Sequence, residues 1–196
     1  MPARRNSLIF VVSAPSGAGK TTLVKGLLKL FPKIRLSVSC TTRRRRAGEK
    51  SGRDYYFVEQ DRFMAMRRRG DFAEWANVHG SFYGTPWRPL ERNLRNGYDV
   101  LLDIDVAGFR KIKRRYPAAV SVFLLPPSWR ELERRLARRK TDGKNVIRQR
   151  LKNARRELQE SRRYDYLIVN REIRDALESL KSIVRAERLR VTRIGR

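Results

Sequence analysis

Residues 8–21, LIFVVSAPSGAGKT, carry the strongest indication of the fold in this chain. Its opening run, up to Ser13, is apolar and rich in branched side chains, which is typical of a strand buried on both faces of a parallel sheet. The rest matches the phosphate-loop pattern G-x-x-x-x-G-K-S/T, with Ala14 in place of the first glycine. Apolar residues at helical spacing then predict a helix over about 20–30, ending before Pro32.

The spacing within this loop has a physical reason. Glycines at 17 and 19 let backbone N–H groups turn inward around phosphate oxygens, and the following helix points its positive end at them. Lys20 can reach the β- and γ-phosphates, and the Thr21 hydroxyl is suited to binding Mg²⁺, which prefers oxygen ligands. The loop therefore predicts an ATP site with Mg²⁺ as cofactor, formed by consecutive residues: Ala14, Pro15, Ser16, Gly17, Ala18, Gly19, Lys20, Thr21 and Thr22.

The remaining sequence continues the alternation of strands and helices. Apolar runs at 100–104, 119–124 and 166–169 alternate with amphipathic helices at about 129–138, 146–161 and 173–188. This order predicts an α/β fold, a P-loop NTPase three-layer sandwich with a parallel sheet. Two segments break the pattern. The aromatic- and glycine-rich segment 37–86 is interpreted as an inserted subdomain of mixed strands, and the charged segment 138–144 as a mobile lid between two helices.

Composition narrows the class of protein. The chain has 196 residues, 40% of them hydrophobic, and lacks the run of about 20 apolar residues that a membrane helix needs. Its first apolar run is too short for a signal peptide, so we expect a soluble, cytoplasmic, single-domain protein without a membrane partner. Cys40 is the only cysteine and His79 the only histidine, which excludes an intramolecular disulfide and argues against a zinc site.

The charge predicts anionic partners without choosing among them. Lysine and arginine number 47 against 20 for aspartate and glutamate, a net charge of +27. Such a surface attracts nucleic acid through counterion release and small phosphorylated ligands through a few focused charges. Arginines at 67–69 and 155–156 are equally consistent with solvated helix faces. We predict at most weak, nonspecific binding of nucleic acid, and the oligomeric state stays open, a homo-oligomer included.

Motifs outside the phosphate loop carry a family resemblance. SVSCTTR at 37–43, GRDY at 52–55, Glu74, YGT at 83–85 and DID at 103–105 resemble, in order, the motifs of guanylate kinases. The resemblance runs from residue 8 to about 188. It implies transfer of phosphate from ATP to GMP, with dGMP as a second acceptor. It also implies one domain over 1–196, with a core at 7–36, 87–137 and 150–190, a GMP-binding subdomain at 37–86 and a short lid at 138–149.

The same resemblance implies roles for individual side chains. The GMP phosphate would be held by Ser39, Arg43, Arg46, Tyr55 and Tyr83, and the guanine read by Glu74, Thr85 and Asp105. The transferring phosphoryl group would be neutralised by five basic side chains: Lys20, Arg43, Arg135, Arg139 and Arg150. Asp103 would act near the metal and the acceptor. Asn170 would contact adenine. The role of Glu74 also makes chemical sense, because a carboxylate accepts two adjacent donors from guanine but is opposed by the N1 lone pair of adenine.

One alternative from a different class is a binding scaffold, since some guanylate-kinase-like domains have lost catalysis and recognise protein segments. The intact phosphate loop with Lys20 and Thr21 argues against it. Three departures from the family pattern affect loop geometry and adenine affinity: Arg45 replaces a proline, Lys140 a glycine and Arg171 an acidic residue.

Overall fold

The computed structural model describes residues 6–78, 80–137 and 144–193. Within these ranges the chain forms, in order, β1 (Ile9–Ser13), α1 (Lys20–Leu30), β2 (Ile34–Leu36), β3 (Cys40–Thr41), β4 (Tyr56–Phe57), α2 (Gln60–Arg68), β5 (Phe72–Val78), β6 (Ser81–Pro86), α3 (Trp87–Arg95), β7 (Asp99–Asp103), α4 (Val106–Arg115), β8 (Val120–Leu125), α5 (Trp129–Ala137), α6 (Lys144–Glu160), β9 (Tyr166–Val169) and α7 (Ile173–Leu189). No helix in the described residues is both long and apolar enough to cross a membrane.

The central sheet is parallel, with strand order β2-β7-β1-β8-β9. Side chains of β1 alternate between its two faces, as the period of a strand requires. Phe10 and Val12 pack with residues of α1 and α7, whereas Ile9 and Val11 pack with residues of α3 and α4. Helices therefore cover both faces of a sheet buried on both sides, which confirms the predicted three-layer α/β sandwich.

The predicted helix after the phosphate loop is confirmed at its predicted ends, Lys20–Leu30. The strand predicted at 100–104 begins one residue earlier, because Asp99 pairs with Ile34 at the start of β2. Asp99 is fully buried. Its Oδ1 accepts a hydrogen bond from the backbone N–H of Leu8 at 2.9 Å, and its Oδ2 accepts from Arg188 at 2.8 Å. These contacts attach the end of α7 to the sheet that carries the site.

The inserted segment forms a second, mixed sheet with the order β4-β3-β6-β5. Strands β3 and β5 run antiparallel to β6, and β4 runs parallel to β3. Its small core is built on Cys40, Phe63 and Phe72. This mixed sheet confirms the predicted subdomain of mixed strands, and the segment also contains α2, for which no helix was predicted. Only Phe63 of α2 is buried, so the apolar period that reveals a helix is nearly absent.

Helices α5 and α6 pack on each other through Leu132, Leu136 and Ala154. Of the predicted lid at 138–149, residues 144–149 belong to the first turns of α6, and residues 138–143 lie outside the described residues. The lid therefore stays a prediction.

Candidate active site

The phosphate loop lies between the carboxyl end of β1 and the amino end of α1. Gly17 and Gly19 have φ angles of 94° and 97°, a left-handed conformation that side chains other than glycine rarely adopt. Asn170, which follows β9, donates from its Nδ2 to the Ala18 carbonyl at 2.7 Å, while its own backbone N–H donates to Leu125 at 2.8 Å. A side chain at position 19 would collide with that amide. Asn170 thus fastens the loop to the sheet.

Lys20 and Asp103 form an ion pair at the same edge of the sheet. They meet because Asp103 ends β7 and pairs with Val12 of the neighbouring strand β1. The Lys20 ammonium also approaches the Ile104 carbonyl at 3.4 Å. Thr21, one residue into α1, is exposed and lines the same opening. The loop therefore presents a cation and a hydroxyl side by side.

A cleft of about 340 Å³ joins this loop to the second sheet. Most residues predicted to hold ATP or GMP line it, from both sheets: Ala14, Pro15, Ser16, Gly17, Gly19, Lys20, Thr21, Thr22, Ser39, Arg46, Tyr55, Glu74, Tyr83, Asp103, Asp105 and Arg150. Ala18 and Thr85 are fully buried behind this lining. The fold thus brings the two predicted nucleotide sites into one cavity.

The residues predicted to read guanine form a hydrogen-bonded group. Glu74 on β5 faces Thr85 on β6, and the Thr85 hydroxyl donates to Glu74 Oε1 at 2.6 Å. Asp105 caps α4 by accepting from the Gly108 backbone N–H at 2.8 Å. A Cβ at Gly108 would lie 2.7 Å from Glu74 Oε2, so only glycine lets α4 approach both carboxylates. Gly108 is not among the residues predicted from the sequence.

The Glu74 carboxyl is 4% exposed. Burial raises its pKa to about 7, partly offset by the Thr85 hydrogen bond and reinforced by the charge of Asp105. In the free protein near neutral pH, a proton and a hydrogen-bond donor of a ligand would therefore compete for the same carboxylate.

Three of the residues predicted to hold the GMP phosphate, Arg43, Arg46 and Tyr83, are linked around Glu49, which was not itself predicted as a site residue. Arg43 donates from both terminal nitrogens to Glu49, at 2.8 and 3.2 Å, and from Nε to the Tyr83 hydroxyl at 3.1 Å. The backbone N–H of Arg46 donates to Glu49 at 2.8 Å. Arg43 therefore lies one contact behind the cleft, whereas Arg46 and Tyr83 line it. The signal was available: Glu49 lies three residues after Arg46 and six after Arg43.

The predicted lid arginines separate in the structure. Arg150 of α6 lines the cleft, whereas Arg135 of α5 donates to Glu131 on its own helix at 2.7 Å. Hydrogen bonds from Arg134 and Arg135 lower the pKa of Glu131 to about 2. Arg139, like His79, lies outside the described residues.

The cleft also contains a carboxylate, Glu157, that was not among the predicted site residues. Glu157 of α6 lies seven residues after Arg150, two helical turns along the same face, and lines the cleft. Burial raises its pKa to about 7, with Asp105 adding to the effect and Lys20 opposing it. The spacing from Arg150 was the only sequence signal for it, and other charged residues on α6 obscure that signal.

Comparisons with known proteins agree with this geometry. The family model described as guanylate kinase matches residues 6–187. A guanylate kinase of Geobacter metallireducens is 51% identical over 191 residues, which cover 97% of this chain and 94% of that relative. One from Thermotoga maritima is 43% identical over 94% of this chain and 89% of its own length. The crystal structure of guanylate kinase from Anaplasma phagocytophilum superposes with a TM-score of 0.83 at 38% identity, covering 97% of this chain and 91% of that one. The chain therefore belongs to the guanylate kinase family.

Proposed function

We propose that this protein transfers the γ-phosphoryl group of ATP to the phosphate of GMP, producing ADP and GDP, and accepts dGMP as a second acceptor. One observation carries the proposal: a phosphate loop with Lys20 and a buried carboxylate, Glu74, line the same cleft. A cavity with a triphosphate cradle at one side and a guanine-reading carboxylate at the other suits phosphoryl transfer between two nucleotides. Both substrates are found in the cytoplasm, where we place the enzyme.

On the donor side, the loop at 14–19 holds the phosphates of ATP through its backbone N–H groups, and Lys20 neutralises them. Asp103 keeps the Lys20 ammonium at the loop through their ion pair. We assign Asn170, whose amide also donates to the Ala18 carbonyl of the loop, as the contact to adenine.

The residues at the loop also suit Mg²⁺. The Thr21 hydroxyl and the Asp103 carboxylate both line the cleft and offer the oxygen ligands that this ion prefers. When bound, Mg²⁺ supplies positive charge to the oxygens of the transferring phosphoryl group. We assign Thr21 as its protein ligand and Asp103 as an electrostatic partner.

On the acceptor side, Glu74 accepts hydrogen bonds from N1–H and the 2-amino group of guanine, supported by Thr85 and Asp105. Ser39, Arg46, Tyr55 and Tyr83 hold the GMP phosphate from the wall of the second sheet. Arg43 orients Tyr83 and, through Glu49, the backbone of Arg46.

Catalysis then rests on positioning and charge neutralisation. The acceptor oxygen belongs to a phosphate whose second pKa is about 6, so it is ionised near neutral pH and needs no general base. Arg150 neutralises the transferring group from the cleft wall, and Arg135 and Arg139 join it when the lid at 138–149 closes over the GMP-binding subdomain at 37–86. Closure excludes water and so limits ATP hydrolysis.

The first test is ADP production from ATP and Mg²⁺ with GMP, dGMP, AMP, CMP or UMP as acceptor. We expect activity with the two guanine nucleotides only. Lys20→Ala should abolish transfer, and Glu74→Gln should raise KM for GMP by about 10²-fold, because one guanine donor then faces an amide donor. Glu178→Gln, at an exposed carboxylate of α7, is the matched control and should leave the rate of transfer and the KM for GMP unchanged.

Two outcomes would overturn parts of the proposal. Tight nucleotide binding without transfer would favour the binding-scaffold class. Transfer to a different acceptor would keep the kinase and refute the role of Glu74.

A further inference from the structure

A surface outside the cleft combines tryptophan rings with unpaired cations. Trp75 lies between Glu74 and Ala76 on β5, and because those two line the cleft, Trp75 points to the other face of the strand. The Arg67 guanidinium lies 4.0 Å from the centre of the Trp75 ring and the Lys111 ammonium 4.3 Å from it. Lys111 also donates a hydrogen bond to the Trp75 carbonyl. Two cations thus share one indole.

A second indole continues the arrangement along α4. The Arg115 guanidinium lies 3.9 Å from the centre of the Trp87 ring, and Tyr116 meets that ring edge-on. Arg115 is one helical turn beyond Lys111, and Arg114 lies beside both on the helix surface. We call this surface the Trp75–Trp87 face and define it by Arg67, Trp75, Trp87, Lys111, Arg114 and Arg115.

No cation of this face forms an ion pair with another described residue, although the charge of Lys111 also acts on the buried Glu74 carboxylate. Among the described residues, no carboxylate lies within ion-pair distance of its four exposed basic side chains, Arg67, Lys111, Arg114 and Arg115. At its margins the situation differs, since Arg69 pairs with Asp71 at 2.7 Å and Arg110 pairs with Glu160. An indole ring holds a cation in place without neutralising it. The three exposed arginines, Arg67, Arg114 and Arg115, therefore keep their positive charge directed outward.

We propose that the Trp75–Trp87 face binds the phosphodiester backbone of nucleic acid, independently of sequence and of the catalytic cleft. The planar guanidinium group of arginine matches phosphate oxygens in geometry as well as in charge. Stacking on indole also restricts the arginine rotamers, so less entropy is lost when phosphate binds. Because this surface and the cleft use different faces of β5, both can be occupied together.

An anionic membrane fits this face less well. Binding to a lipid surface requires apolar side chains that enter the headgroup region. Within the described residues, the large hydrophobic side chains that are exposed lie elsewhere: Leu30, Tyr56, Leu167, Val169, Ile173, Leu189 and Val191.

The test compares two variants of the full chain that each remove three positive charges. The face variant is Arg67→Gln/Arg114→Gln/Arg115→Gln. The matched control is Lys29→Gln/Arg174→Gln/Arg185→Gln, which changes exposed residues of α1 and α7. Fluorescence anisotropy of a labelled oligonucleotide of about 20 nucleotides, single-stranded or as a duplex, is measured across a NaCl series with an excess of ADP and GMP to occupy the cleft.

We expect the face variant to bind at least about tenfold more weakly near 100 mM NaCl and to lower the slope of log K against log [salt] by about 2, since each lost phosphate contact removes about 0.7 to 0.9. The control should lose about twofold. Equal weakening of both variants would refute the location. Displacement of the oligonucleotide by ADP and GMP would assign the binding to the cleft. Binding to phosphatidylserine vesicles that is stronger than binding to the oligonucleotide would favour a lipid partner. Either result would overturn the proposal.

Misfolding is separated from loss of binding by measuring GMP kinase activity and thermal unfolding of each variant. If the triple face variant unfolds, the single Arg114→Glu replaces it, because Arg114 contacts neither indole. That single variant should still lower the affinity and the slope, and a slope equal to that of the unmodified protein would refute the proposal.

Discussion

At the residue scale, Glu74 shows how recognition and stability conflict. A carboxylate that is 4% exposed loses most of its hydration, and its neighbour Asp105 adds negative charge. Hydrogen bonds from Thr85 and the charge of Lys111 offset only part of this cost, which is why the pKa of Glu74 rises to about 7. The guanine edge of a bound nucleotide would supply the missing donors. The free protein therefore carries a destabilising ion that its substrate can satisfy.

This predicts that Glu74→Gln stabilises the free protein at high pH. A raised folded-state pKa means that the native form binds the proton more tightly than the unfolded chain does, so stability is fully present below about pH 4.5 and is lost as the pH rises through about 7. The variant avoids this loss. We expect its free energy of unfolding to exceed that of the unmodified protein by up to about 3 kcal/mol at pH 8, and to match it near pH 4.

Urea unfolding at pH 4, 5.5, 7 and 8 checks this prediction. Glu178→Gln is the control, because Lys181 lowers the pKa of this exposed carboxyl and its substitution should bring no gain at pH 8. A Glu74→Gln variant that is less stable than the unmodified protein at pH 8 would show that the native Glu74 carboxylate is well solvated after all.

Lys20 could be predicted because it belongs to a local motif, and Glu74 because its place in the order of motifs resembles that of guanylate kinases. Glu49 had a sequence signal in its spacing from Arg43 and Arg46, but Gly108 and Glu157 could not be found in the same way. Gly108 matters only because the fold brings α4 against the carboxylate of Glu74, which comes from a different sheet. Glu157 reaches the cleft only through the packing of α6. Side chains whose roles depend on a distant partner leave little pattern in the sequence.

At the scale of elements, the phosphate loop after β1 depends on β9, although β8 separates these two strands in the sheet. The Asn170 amide at the end of β9 occupies the space that a side chain at Gly19 would need, and it holds the Ala18 carbonyl. Two causes therefore fix glycine at position 19: a φ of 97° and the adjacent amide.

The two causes can be separated by matched substitutions. Gly97 has a φ of 78°, and no atom of the described residues outside its own chain neighbours lies within 4 Å of where a Cβ would be, so Gly97→Ala carries the backbone strain alone. We expect it to cost about 1 kcal/mol of stability and to leave ATP affinity unchanged. Gly19→Ala adds the collision with Asn170 and should cost about 2 to 4 kcal/mol while weakening ATP binding at least about tenfold.

Chemical unfolding and ATP titration measure the two effects. Adding Asn170→Ala to Gly19→Ala should recover part of the lost stability, because the collision is then removed. If the two glycine variants behave alike, the contact with Asn170 has no energetic weight.

Elements with long apolar runs could be predicted from the sequence, and short polar ones could not. Helix α1 was confirmed end to end, and β9 begins and ends where its apolar run does. Helices α2, α3 and α4 were not predicted. Helices α2 and α3 each bury a single side chain, Phe63 or Leu90. The positions of these two helices are set by packing on the inserted sheet and on β7 rather than by their own periodicity. Helix α4 was missed although its buried residues Val106, Phe109 and Ile112 recur at helical spacing.

At the scale of the whole molecule, the net charge of +27 is the dominant physical feature. Cations without acidic partners repel one another across the surface, and this repulsion is released on unfolding because the charges move apart. Surface ion pairs such as Arg95–Glu91 act in the opposite sense, but exposed pairs contribute little. Repulsion should therefore outweigh attraction in this protein, and screening it should stabilise the fold.

We expect the melting temperature to rise by roughly 3 to 8 °C between 10 and 300 mM NaCl, as the Debye length falls from about 30 Å to below 8 Å. Differential scanning fluorimetry in a buffer without phosphate or sulfate measures the shift. Chloride bound at the phosphate loop would produce a similar rise, so Lys20→Ala is the control. An equal rise in this variant assigns the effect to the whole surface, and a rise that disappears with Lys20 assigns it to the loop. A melting temperature that falls with salt would show that the ion pairs outweigh the repulsion.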